Sequence, residues 1–220
     1  ILILFIAFCL FLMSMIGNSN ESGTVKIAER TTARLQKRLD KLEAYALDMM
    51  MHHNDGCSVD MPEDMVVYKY ENDSLLTWCN QFPIINDDIS NRLVMHRLTG
   101  ISNRLSSQLA DVTGTVSYMN LGPKWYVIKA YEGVNNVKVI AGIEIKNNLI
   151  DEMNPNKNGV NPHLDVGGRY AVAPITTSNG SPVIIDGIPL FKILYNSYRE
   201  NSFFDNSLLR WIALILLAVA

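Results

Sequence analysis

The 220-residue chain sets 19 lysines and arginines against 22 aspartates and glutamates, a formal charge of −3, with 48% of its residues hydrophobic. That balance, without a basic stripe interleaved with aromatics, argues against a nucleic-acid partner. The stretch between the two apolar ends is long enough for one domain with its own core.

The chain opens with ILILFIAFCLFLMSMIG, uncharged throughout, and closes with RWIALILLAVA, uncharged after Arg210. One span of the hydrocarbon core takes about 20 apolar residues. Each run is therefore read as a membrane helix cut short, at 1–17 and 208–220. A signal peptide is the alternative for the first run, but MSMIGNSN offers no small-x-small cleavage site. Trp211 and Arg210 stand where an interfacial aromatic and a snorkelling cation belong. Two such spans put the residues between them on one side of the membrane. The flanking charges that fix orientation are not in the sequence, so the positive-inside rule decides nothing.

From Thr24 to His53 there is no proline or glycine. Val25, Ala28, Thr32, Leu35, Leu39, Leu42, Ala46 and Met49 recur at steps of three and four, with Lys, Arg, Glu and Asp between them. This spacing predicts an outward helix about 45 Å long, continuing the first membrane helix, with helix and turn together covering 18–60. Gly17 and the NSNESG run are expected to bend or cap it. The seam packs on its own domain or pairs with a second subunit, with Leu35, Leu39, Leu42 and Met49 as the dimer-seam residues.

MMMHHNDGCSVD concentrates histidines, aspartates and a cysteine, but reads as the end of the helix. Asn54-Asp55-Gly56 favours a left-handed cap and turn, and His52 and His53 suit the negative end of the helix dipole. Adjacent helical histidines diverge by about 100°, whereas a zinc pair prefers the i, i+4 spacing. No metal site is expected there. Cys57 and Cys79 would pair in an oxidising compartment, though spacing alone does not bring them together; two buried thiols are the other reading.

After Pro62, MVVYKY, the turn ENDS and LLTWC predict two strands. Asn80 to Asp88 is a loop, and DDISNRLVMHRLTGISNRLSSQLADV suggests a short helix with irregular chain. TVSYMNL, KWYVIKAYE and VKVIAGIEIK, separated by Gly-Pro and GVNN turns, predict a three-stranded antiparallel meander. A long polar loop from Asn147 to Gly168 leads to RYAVAPI, PVIID and PLFKILY. Together these give an α+β fold, a long helix with a sheet of five to seven antiparallel strands.

Within the loop, Asn154, Asn156, Asn158, Gly159 and Asp165 match a calcium-loop spacing, but one carboxylate is too little charge for that ion. No phosphate-binding loop, nucleophile elbow or metalloprotease signature occurs. His96 and His163 stand alone, and Asp87-Asp88 reads as a helix N-cap. No catalytic residues, metal ligands or cofactor are expected. Tyr68, Tyr70, Trp78, Tyr118, Trp125, Tyr126 and Tyr131 fall on predicted strands, most of them in the core.

The phrases VVYKYENDSLLTWCNQFPI, GPKWYVIKAYE, VIAGIEIKNN and DGIPLFKILY, set between two membrane helices, resemble the extracytoplasmic sensor region of bacterial two-component sensor histidine kinases. The resemblance implies a PAS/Cache-like domain at 61–200, a juxtamembrane connector at 201–207, and a homodimer in the bacterial inner membrane. The domain would lie on the periplasmic or extracellular side. It implies a parent that autophosphorylates a cytoplasmic histidine, while none of the four histidines here lies in a phosphoacceptor box. The signal would be a small molecule or a protein partner, with Tyr118, Trp125 and Arg169 lining its pocket, the arginine because carboxylate ligands are common for such folds. Chemoreceptors and cyclic-dinucleotide synthases share this outer plan. A membrane-tethered enzyme lacks a convergent nucleophile, acid and base here. A scaffold or adhesion module is the remaining class.

Overall fold

A computed structural model describes residues 20–51, 60–83, 105–153 and 159–196. The long helix, α1 (Asn20–Met51), begins earlier than its spacing predicts, running straight through Asn20 to Gly23 rather than capping there. Strands β1 (Met65–Glu71) and β2 (Ser74–Cys79) form a hairpin. Its two central residues, Asn72 and Asp73, both take positive φ, the mirror-image turn that matches strand twist. A four-residue helix, α2 (Ser107–Ala110), is capped by Ser106. The predicted meander follows as β3 (Ser117–Leu121), β4 (Lys124–Glu132) and β5 (Val137–Asn147). Then come α3 (Asn148–Met153), a 3-10 turn (Pro162–Leu164), and strands β6 (Tyr170–Pro174), β7 (Ser181–Ile185) and β8 (Ile188–Tyr195).

The fold is α+β, but among the described residues eight strands form two antiparallel sheets rather than one. The first has the order β2-β1-β5-β4-β3 and the second β6-β8-β7. The long polar loop after β5 breaks the succession, and α3 occupies its first residues, where the sequence suggests only loop.

Alternation sorts the first sheet's side chains between two cores. Val66, Tyr68 and Tyr70 point away from α1 to meet Phe82, Leu109, Val112, Tyr126, Ile128 and Ile140. The ring of Phe82 lies against Gly142, where a Cβ would sit 2.8 Å from it. Met65, Val67, Val127, Val139, Ala141 and Ile143 belong to the other core. They share it with Leu35, Leu39 and Leu42 of α1, and with Val183, Ile185, Phe191 and Ile193 of the second sheet.

Leu35 and Leu42 are completely buried and Leu39 is 6% exposed, all within a single chain. Of the two partners that the spacing leaves open, the single chain supplies the first, its own domain, which covers these leucines. Met49 is half-buried against the same core.

The hydroxyls of Thr24 and Ser181 of β7 share a 2.9 Å hydrogen bond, tying the start of α1 to the second sheet. Gly23 abuts the hydroxyl of Tyr170. Tyr170 pairs in register with Tyr195, their rings edge-on at 5.9 Å. The start of α1 and the end of β8 therefore lie at the same pole of the fold.

No helix among the described residues is long and apolar enough to cross a membrane. The runs at 1–17 and 208–220, the connector at 201–207, His52, His53, Cys57, Asp87, Asp88 and His96 all lie outside the described residues.

Candidate functional site

Arg34, Lys37, Arg38 and Lys41 follow the i, i+3, i+4, i+7 spacing and share one side of α1, about 100° from the leucine stripe. With His163 across from them they line a cleft of about 500 Å³. His163 belongs to the 159–168 loop, which forms the opposite wall through that residue. The loop is held to β5 by Asn147 N–H donating to the Gly159 carbonyl and Asn161 N–H to the Ile145 carbonyl, at 2.8 and 2.9 Å.

Asn161 organises the wall. Its side-chain oxygen accepts from the His163 backbone N–H and caps the 3-10 turn, while its amide donates to Asp64 Oδ2 at 2.6 Å and to the Glu144 carbonyl at 2.7 Å. Asp64 in turn receives Arg38 at 2.5 Å, an ion pair with both side chains at least four-fifths buried. Such a pair survives burial only because further hydrogen bonds satisfy the carboxylate. The Arg38 Nε remains buried without a hydrogen-bond partner.

Asp165, in the left-handed conformation that ends the turn, reaches back to α1 and pairs with Arg34 at 2.9 Å and Arg30 at 3.8 Å. Both ends of this bridge are nearly half exposed. The same loop also walls a second cleft, of about 560 Å³, with Glu144, Asp165 and Ile150 among its lining. Glu144 is held there by Lys124 at 2.7 Å.

The pocket residues expected from sequence are only partly brought together. Tyr118 and Trp125 sit diagonally across β3 and β4 and stack at 4.8 Å, with Tyr118 also against Phe191 of the second sheet at 5.1 Å. Burial pushes the Tyr118 hydroxyl well above its ordinary pKa. The pair joins the two sheets. Arg169 is exposed on the turn before β6 and lines neither cleft.

Of the calcium-loop positions, Asn154, Asn156 and Asn158 lie outside the described residues, Gly159 takes φ +61°, and Asp165 is engaged by arginines. Among the described residues no group of three or more His, Cys, Asp or Glu could hold a metal ion. Cys79 is in a disulfide, and its partner lies outside the described residues.

The sequence reading names Arg34, Lys37, Arg38 and Lys41 only as charged residues between the seam positions. The signal was present: these four cations share one side, whereas Gln36 and Asp40 occupy another and bond to each other at 3.1 Å. Comparison with family models, curated proteins and solved structures returned no match.

Proposed function

We propose that the chain is the extracytoplasmic input region of a transmembrane sensor histidine kinase, its sheets forming a PAS/Cache-like domain. The observation that carries this reading is the meeting of entry and exit at one pole, through Gly23, Tyr170 and Tyr195. The apolar run at 1–17 shortly precedes that pole in sequence and the run at 208–220 shortly follows it. A domain with both connections at one end can move two membrane helices against each other. Support for the sensor fold comes from the five-stranded antiparallel sheet with its first and last strands central, and from the long helix across one face. The Cys79 disulfide fits an oxidising compartment.

In this reading the signal biases two arrangements of loop, sheets and helix, and the membrane helices relay the difference. The homodimer would be built from surfaces other than Leu35, Leu39 and Leu42. The test is phosphorylation of the full-length protein in membrane vesicles with labelled ATP. Acid-labile phosphate on a cytoplasmic histidine is the expected result. A different output, methyl-accepting helices or cyclic-dinucleotide synthesis, would transfer the domain to another receptor class.

A further inference from the structure

We infer that the cationic cleft on α1 binds a small dianion, inorganic phosphate or an organic phosphate or short dicarboxylate, and that the bound anion takes the place of Asp165. The inference goes beyond the sensor reading by naming the chemistry of an input.

Charge comes first. Among the described residues, the stripe of Arg30, Arg34, Lys37, Arg38 and Lys41 meets two carboxylates in its ion pairs, Asp64 and Asp165. A nearby acid of the helix, Asp40, is engaged by its own neighbour, accepting from Gln36. Lys37 is exposed, and Lys41 lies 5.5 Å over the Tyr45 ring; neither forms an ion pair among the described residues. The cleft thus keeps an excess of positive charge. Guanidinium forks match carboxylate and phosphate oxygens two at a time. The space of about 500 Å³ suits a small metabolite and is open to solvent.

The two carboxylates differ in how they are held. Asp64 is buried and fixed by Asn161, so it stays with Arg38. Asp165 is half exposed, and a surface bridge of that kind is weak because water screens it. A dianion reaching Arg34, Lys37 and Lys41 displaces it and releases the Asp165 end of the turn from the helix, while Asn161 stays bound to Asp64.

The experiment is isothermal titration of the full 220-residue chain in neutral detergent with phosphate, succinate and, as a monoanion, acetate. Phosphate or succinate should bind saturably, about tenfold or more tighter than acetate, and whichever binds tighter identifies the source. The double variant Lys37→Gln/Lys41→Gln should keep its melting temperature and lose that binding about tenfold. Asp165→Asn, which keeps a residue tolerant of left-handed backbone, should bind more tightly because the internal competitor is gone. If neither dianion exceeds acetate, or the double variant binds as the parent does, the site is refuted. If Asp165→Asn binds no more tightly, the exchange is refuted. Binding is read without any kinase output, so loss of phosphorylation with intact binding counts against the receptor reading alone.

Discussion

Lys69 Nζ, on the buried side of β1, donates to the backbone carbonyl of Met49 at 2.9 Å, and also approaches that of Met50 at 3.4 Å. These carbonyls belong to the last turn of α1, which has no basic residue of its own. The last carbonyls of a helix lack intrahelical partners and carry the negative end of its dipole. A strand thus caps a helix, and the lysine at the centre of β1 has a structural reason.

Lys69→Met should accordingly destabilise the fold by about 1–3 kcal/mol, because it leaves a part-buried carbonyl at the helix end unpaired. Urea unfolding followed by circular dichroism measures the loss. An unchanged midpoint would mean that the carbonyls find other partners.

The two acids beside the cationic stripe should respond very differently to removal. Asp64→Ala strands Arg38 in the interior and is expected to cost about 3–5 kcal/mol. Asp165→Ala removes an exposed bridge, and the ion-pair part of its effect should stay within about 1 kcal/mol. Thermal melts of both variants check the ranking; equal losses would contradict the difference in burial on which it rests.

Gly142 admits the Phe82 ring onto the sheet, and a branched side chain there collides with it. Gly142→Val should cost about 1–3 kcal/mol through overpacking. Combined with Phe82→Ala, the total loss should be less than the sum of the two, which a double-mutant cycle would detect.

Alkaline pH should unfold the domain through its tyrosines. Burial raises the Tyr68 hydroxyl to about 12, opposed by the Phe82 backbone N–H that it accepts. Burial also raises Tyr70, Tyr126 and Tyr131. The native state then holds protons that the unfolded chain releases near pH 10. Stability is complete below that value and falls as pH rises toward the folded pKa, by about 1.4 kcal/mol per pH unit for each tyrosine involved. Tyrosinate absorbance rising together with loss of secondary structure would verify this; absorbance rising first would refute it. Tyr68→Phe should lower the slope by about one proton.

Much of the architecture is written in local patterns. The three-and-four spacing of Ala28, Leu35, Leu39, Leu42 and Ala46 marks the helix, and β4 and β8 follow largely apolar runs bounded by Gly-Pro, Asn-Asn and Asp-Gly turns. What periodicity does not carry is the identity of the partner across the fold. The leucine stripe is equally fit for a second helix or for two sheets, because burial only requires an apolar neighbour. The split into two sheets depends on tertiary contacts such as Tyr118 with Phe191, which no local window contains. The cationic cleft was missed for a related reason. Its far wall, around Asn161 to Asp165, is remote in sequence from Arg34 and Arg38, so the helix alone shows only a polar face.

The contact of Thr24 with Ser181, 157 positions apart, sets the order in which this protein can mature. The helix is made first, and half of its apolar stripe waits for strands that are made last. Until residues 181–193 have emerged, Ala28 and Leu35 have no complete cover. Contacts of such long range delay folding and leave apolar surface open to other chains meanwhile. The molecule therefore closes this interior only once β7 and β8 have emerged, and a chain ending before β7 would carry a helix whose apolar stripe is covered by the first sheet alone.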